Sequence, residues 1–275
     1  MSSAGKIDGD NAGQITAIEN IVTAGAQTIL ITPSDATAII PAIKKAQTAG
    51  VMVSGLDSPT DPADALDALF ATDNYKAGLL IGEFAKVVFA GTKVKAATLD
   101  LFSVHPVGAQ RHSGFLHGLD LKSNDAKNNE LAMPPEVVCA QDSFGDQAKG
   151  QTGMENCLQK TPNINLVYTL NEPAAAGAYQ ALKAAGKENG VMIVSVDGGC
   201  VGVKNVQAGV IAATSQQYPL KMAAMGVEGG IAYEKTGKKV SGYTDTGVTV
   251  ITNKKMAGVD RKDTKFGLDA CWGNK

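Results

Sequence analysis

A chain of 275 residues, 44% apolar and 19% charged, is long enough for one large domain or two of about 100–150 residues each, and too apolar to be a disordered polymer. With 25 basic against 27 acidic side chains its net charge is −2, which excludes the basic field that gathers nucleic acid or anionic lipid and points to a neutral or weakly charged ligand. No apolar run approaches the roughly 18 residues needed to span a bilayer, and the opening MSSAGKIDGD has neither the basic nor the apolar region of an export signal, so the chain as written is expected to be soluble.

The first strong pattern is TILITP (Thr28 to Pro33), a predicted strand, followed by helical spacing from about Ala36 to Thr48 and by a second strand, VMVSGLD (Val51 to Asp57). Helical spacing returns over Tyr75 to Phe89, after Asp73 and Asn74, then a strand-like KVKAATLD (Lys93 to Asp100) and a helix from about Val107 to Leu119. An apolar run, EVVCA, contains Cys139, and a helix-like segment carrying Cys157 follows it. NLVYTLN (Asn165 to Asn171) leads into a helix over about Pro173 to Ala185 and a strand, VMIVSVD (Val191 to Asp197). IAATSQQYP (Ile211 to Pro219), a helix from about Leu220 to Glu234 and a strand-like GVTVIT (Gly247 to Thr252) complete the series. Short strands alternating with longer helices define an α/β chain with parallel sheets covered by helices.

The blocks 28–57 and 165–197 read alike: strand, polar strand end, Ala-rich helix, AG turn, strand, aspartate. Two copies of one architecture are therefore expected. The expected division is a first lobe of residues 1–100 plus about 218–245 and a second of 101–217 plus about 246–275, with crossings near 100–105, 215–219 and 243–248.

Cys139, Cys157, Cys200 and Cys271 lack the close spacing of a zinc or redox motif, which leaves buried free thiols or two disulfides. A strand and its crossover helix pack at the separation of Cys139 and Cys157, which favours a bridge there. Cys200–Cys271 would then tie the C-terminal tail, with Trp272, to the body, and the pair of bridges would imply an oxidising compartment.

Ligands of open α/β sheets bind beyond the carboxyl ends of the strands. Asp57, Asn171 and Asp197 stand at such ends. A carboxylate accepts two hydroxyls and an amide both donates and accepts, so these side chains suit the adjacent hydroxyls of a sugar, and Arg111 could add a fork of donors. Taken singly each strand-end residue reads first as an ordinary helix N-cap; their recurrence at equivalent positions favours binding.

With ILITPSDATAIIPAI, VSGLDSPTD, ATDNYKAG, HPVGAQRHSGF, DSFGDQAKG, YTLNEPAAAGAYQAL, VSVDGG and IAATSQQYP in this order and spacing, the chain from Lys6 to Trp272 resembles the periplasmic substrate-binding proteins of sugar ABC transporters, of the ribose-, galactose- and fructose-binding type. SPTDPADA, NEPAAAGAY, VDGGC and FGLDACWG look like the fructose-binding branch. The resemblance implies the two-lobed type I periplasmic-binding-protein fold, a monosaccharide bound in the cleft between lobes that close by a hinge, delivery to an ABC import permease, a periplasmic location, and no cofactor or metal. It implies sugar contacts from Asp57, Arg111, Asn171, Asp197 and Gln217, and an aromatic contact from Phe144, for which a loop anchor is the equal alternative. Ser58 stands where ribose binders carry an arginine. Family members open with a strand, a helix and a second strand before the region matching Lys6 to Asn11, so the first lobe is expected to be incomplete at its start.

The same fold serves as the effector core of repressors and in chemoreceptor-linked sensors, which is the alternative function; the four spaced cysteines and the lack of a basic helix-turn-helix segment weigh against it. An enzyme is the third reading. His105, His112 and His117 do not have the i,i+4 spacing of a helical metal pair, and no G-x-S-x-G, Walker or G-x-G-x-x-G motif occurs, so no catalytic apparatus is expected.

Overall fold

The computed structural model describes residues 1–3, 5, 10–102 and 105–273. Lys6 to Gly9, where the resemblance begins, lie outside the described residues. In chain order the elements are α1 (Asn11–Thr23), β1 (Thr28–Ile31), α2 (Ile40–Thr48), β2 (Met52–Leu56), β3 (Ala68–Ala71), α3 (Asn74–Val88), β4 (Ala96–Asp100), α4 (Pro106–Gly118), β5 (Val137–Asp142), α5 (Gln147–Lys160) and β6 (Leu166–Thr169). Then come α6 (Glu172–Ala184), β7 (Met192–Asp197), α7 (Cys200–Gln207), β8 (Ala213–Gln216), α8 (Pro219–Thr236), β9 (Gly242–Asp245), β10 (Thr249–Ile251), β11 (Arg261–Lys262) and α9 (Thr264–Ala270).

The chain forms two compact units, Met1–Thr72 with Pro219–Thr246, and Asp73–Tyr218 with Gly247–Lys275. The first crossing therefore falls at Thr72/Asp73 rather than near residues 100–105. The reason is pairing: β4 lies between β5 and β6 in the second unit's sheet, and α3 packs along α4, so residues 73–100 cannot belong to the first.

The first unit carries a parallel sheet in the order β1-β2-β3-β9. One face buries Ile29, Ile31, Ile43 and Val53 with Ile18 of α1; Ala68, Phe70 and Met222 of α8 form a second cluster. Helix α1, with Asp10 as N-cap accepting from Gly13 N at 2.9 Å, is not among the elements predicted from sequence.

The second unit's sheet runs β11-β10-β8-β7-β6-β4-β5, parallel except where β10 meets β8. Helices α5 and α6 cover one face over Leu99, Met154, Val167, Leu182 and Ile193; α3 and α4 cover the other over Phe84, Phe115, Tyr168 and Val194. Burial on both faces is why these strands read as unbroken apolar runs rather than as alternation. The duplicated block has its structural counterpart: β1-α2-β2 in one unit and β6-α6-β7 in the other are parallel neighbours joined by a helix.

Both disulfides form, Cys139–Cys157 across 18 residues and Cys200–Cys271 across 71, and no free cysteine remains. Loops of those lengths restrict the unfolded chain by about 3 and about 4 kcal/mol on the chain-entropy account.

Candidate functional site

Helices α3 and α4 set the base of the site. Their backbones approach so closely that a Cβ on Gly78 would sit 1.9 Å from Arg111 O, and one on Gly114 would sit 2.0 Å from Tyr75 O. This seam holds Arg111 in the middle of α4, 3% exposed. Its Nε donates to Asn74 Oδ1 at 2.8 Å, and its Nη1 donates to Leu170 O at 2.9 Å and to Asp197 Oδ1 at 3.0 Å.

Asp197 ends β7 with φ of 130°, a region that L residues seldom occupy. Gln217 Nε2 donates to the same Oδ1 at 2.9 Å, while Gln217 Oε1 is buried without a hydrogen-bond partner among the described residues. One carboxylate oxygen thus gathers a guanidinium and an amide at the carboxyl end of the sheet, a charge-assisted cluster of the strong kind. The neighbouring helix α7 is capped by Gly199, so Asp197 is not its N-cap.

Asn171 does cap a helix: its Oδ1 accepts from Ala174 N at 3.2 Å, and its Nδ2 donates to Gly145 O at 3.0 Å. That second bond ties β6–α6 to the loop of Phe144. The loop is pinned to the end of β4 by Ser143 N donating to Asp100 O at 2.7 Å and Phe144 N to Leu101 O at 2.8 Å. Phe144 has φ of 53° and is 44% exposed. Its ring stacks on Phe102 at 5.8 Å between centroids, and Lys149 Nζ lies 3.8 Å from its centroid. Anchoring and an exposed aromatic surface are thus both present in one residue.

Asp57 stands in the first unit at the end of β2, with φ of 66°, its N donating to Phe70 O at 3.0 Å. Its Oδ1 is buried and has no hydrogen-bond partner among the described residues. Ser58 beside it is buried.

In the second unit the structure therefore joins Arg111, Asp197 and Gln217 directly, and links Asn171 to the Phe144 loop; Asp57 belongs to the first unit and is described by itself. Two further residues escape the sequence reading. Asn74 fixes Arg111, and Glu172 reaches from α6 to Gly198, Gly199 and Thr214. The strand-end rule could not find either, because both act through partners distant in sequence. Among the described residues no cluster of His, Cys, Asp and Glu is arranged to hold a metal, and no helix is long and apolar enough to cross a membrane.

The family model described as a periplasmic binding protein domain matches residues 2–239. The chain belongs to this periplasmic binding protein family. The ribose import binding protein RbsB of Salmonella typhimurium is 32% identical over 218 residues, covering 79% of this periplasmic binding protein and 69% of the relative. The D-ribose/D-allose-binding protein of Pseudomonas aeruginosa is 27% identical over 268 residues, covering 92% and 78%. Among solved structures, a galactofuranose binding protein superposes with TM-score 0.79 at 25% identity, covering 94% of this chain and 83% of that one. An ABC transporter periplasmic solute binding protein from Actinobacillus succinogenes with bound D-allose does so with TM-score 0.79 at 25% identity, covering 91% and 85%. The α/β architecture with helix-flanked parallel sheets is that of type I periplasmic binding proteins.

Proposed function

We propose that this protein binds a monosaccharide outside the cytoplasm and hands it to the membrane permease of an ABC importer. The observation that carries the reading is the Asp197 carboxylate, held by Arg111 and Gln217 at the carboxyl end of a parallel sheet. A carboxylate oriented in this way at the ends of the strands suits the vicinal hydroxyls of a sugar, and the neighbouring guanidinium supplies donors to the same polyol. Phe144, half-exposed, offers ring carbon to the apolar side of the sugar, and Asn171 and Asp57 contribute further polar contacts.

The names of the relatives support the ligand class, since they bind ribose, allose or galactofuranose. Two disulfides suit an oxidising compartment. Within the class we propose a fructose-like hexose, on the segments SPTDPADA, NEPAAAGAY, VDGGC and FGLDACWG. Ser58 in place of a cation narrows the polar contacts available to ribose.

The test is a melting-temperature screen against D-fructose, D-ribose, D-allose, D-galactose and myo-inositol, followed by calorimetry on any that stabilise. A ligand at about a hundredfold its Kd adds about 2.7 kcal/mol, which is readily seen. D-fructose giving the largest rise supports the full reading, a rise confined to another sugar refutes the fructose assignment alone, and no rise with any of them refutes sugar binding.

A further inference from the structure

Asp197 ends β7 with φ of 130° and Gly198 follows it with φ of 69°, so two successive residues stand in backbone regions that persist only where their surroundings impose them. Each backbone N–H and C=O from Asp197 O to Cys200 N has a partner. Asp197 O accepts from Gln217 N at 3.0 Å, and Gly199 O accepts from Val203 N at 2.8 Å. Gly198 N and Gly199 N donate to the two carboxyl oxygens of Glu172 at 2.9 and 3.0 Å. Gly198 O accepts from Gln216 Nε2 at 2.8 Å, and Cys200 N donates to Trp272 O at 2.9 Å.

Two of these partners lead to the C-terminal segment. Gln216 is the cross-strand neighbour of Asp197 on β8, fully buried, and its Nε2 also donates to Gly267 O of α9 at 2.9 Å. One amide nitrogen thus ties the turn to the tail through its two hydrogens. The fit leaves no room for a side chain at either end. A Cβ on Gly198 would sit 2.3 Å from Gln216 Cβ, and one on Gly267 would sit 2.9 Å from Ile251 Cγ2 and 3.0 Å from Val203 Cγ1. Cys271 is bridged to Cys200, the first residue of α7, and the two pack with Val203, Ile251 and Leu268 in an apolar cluster of their own. Residues 263–272 therefore form a strap, fastened at the Asp197 turn by a disulfide, by the Trp272 carbonyl and by the Gln216 amide.

We infer that Gln216 is a positioning residue, and that the strap, acting through it and through the Cys200–Cys271 bridge, sets the direction of the Asp197 carboxylate. Without the Gln216 amide, Gly198 O loses its donor, Asp197 relaxes from its unusual φ, and its carboxylate turns away from Arg111 and Gln217. A carboxylate that must meet hydroxyls at hydrogen-bonding distance loses affinity when its support is loosened in this way. The effect on affinity rests on the sugar reading; the effect on the geometry of Asp197 does not.

The test compares variants of the full chain. Gln216→Met keeps the length of the side chain without its donors; Gln216→Asn, too short to span both carbonyls, replaces it if that protein does not fold. Cys200→Ser with Cys271→Ser opens the strap. Cys139→Ser with Cys157→Ser is the control, because it removes the bridge between β5 and α5 and lowers stability without touching the turn. Without sugar, the Cα and amide chemical shifts of Asp197, Gly198 and Gly199 should move in the Gln216 and strap variants and hold in the control. With the sugar that the wild type binds best, Kd should rise about tenfold in the Gln216 and strap variants, the equivalent of one good hydrogen bond, and stay within about twofold in the control. Unmoved shifts in the Gln216 variant overturn its positioning role, and unmoved shifts in the strap variant overturn that of the tail. A Kd raised as much in the control as in the others reduces the effect to stability and overturns both. A wild type that binds no sugar refutes the sugar reading, and the chemical shifts then decide the positioning by themselves.

Discussion

His112 Nδ1 lies 2.9 Å from Asp100 Oδ1 and His112 Nε2 lies 2.8 Å from Ala132 O, so both ring nitrogens of a fully buried imidazole face acceptors. Ala132 O can only accept, so Nε2 carries a hydrogen, and a second hydrogen on Nδ1 toward the Asp100 carboxylate makes the ring a cation. Burial opposes that charge, but the carboxylate of Asp100, its hydrogen bond and the Ala132 carbonyl outweigh burial and raise the ring above 6.5. The folded chain therefore holds a proton that the unfolded chain releases. The stability it brings is complete below about 6.5 and is lost as pH climbs through the raised folded value. Glu172, raised from 4.5 to about 8, has the same sign, because the unfolded carboxyl ionises first. The melting temperature should fall between about pH 6 and about pH 9, by roughly 3–5 °C per unit for each extra proton held. His112→Gln should show a shallower fall; a slope equal to that of the wild type would refute the buried cation.

Arg111→Ala should cost about 3–5 kcal/mol, because it removes the buried cation paired with Asp197 and the guanidinium donors to Leu170 O and Asn74 Oδ1. Urea unfolding measures this directly. Arg111→Ala and Asp197→Ala should each abolish sugar binding in calorimetry on protein shown to be folded. Unaltered affinity in either removes that residue from the proposed contacts.

Phe144→Ala should separate anchoring from recognition. With 44% of the residue exposed, the stability change should stay within about 1 kcal/mol, while sugar affinity should drop roughly three- to tenfold. A large loss of stability with unchanged affinity would mean that the ring serves the loop alone.

The α3–α4 seam predicts a steep response to one methyl group. Gly78→Ala places its Cβ 1.9 Å from a backbone oxygen, which no rotamer relieves, and should cost about 3 kcal/mol. Gly190→Ala, whose Cβ would meet nothing nearer than Lys187 O at 3.8 Å, should change stability by less than about 0.5 kcal/mol. Thermal denaturation of the two variants side by side tests the pair.

Strands β1, β2, β6 and β7 were legible in the sequence because each is a short apolar run ending in a polar residue, and the disulfide Cys139–Cys157 because a strand and its crossover helix must touch. The division at Thr72/Asp73 was not, since it depends on which sheet accepts β4, and an apolar run of that length fits either. At the site, Asp197 and Arg111 were visible as strand-end and helical polar residues. Glu172 was hidden by Asn171: the pair reads as a cap and its first helical residue, and only the turn at Gly198 and Gly199 reveals where the carboxyl group goes. The glycines of α3 and α4 were equally silent, because their meaning lies in the partner helix.

Strands β8 and β10 are antiparallel neighbours, with Thr249 opposite Gln216 and Tyr218 Oη donating to Thr249 Oγ1 at 2.8 Å. Everything between Tyr218 and Gly247 belongs to the first unit. The two residues that frame this excursion therefore sit at the same end of one ladder, close enough for a tight hairpin turn to replace it. Beginning at Asp73 and rejoined there, the second unit becomes an uninterrupted polypeptide that keeps Arg111, Asn171, Asp197 and Gln217 together around one intact sheet. The molecule is thus divisible along its own covalent path, with a single short turn standing between the second unit and continuity.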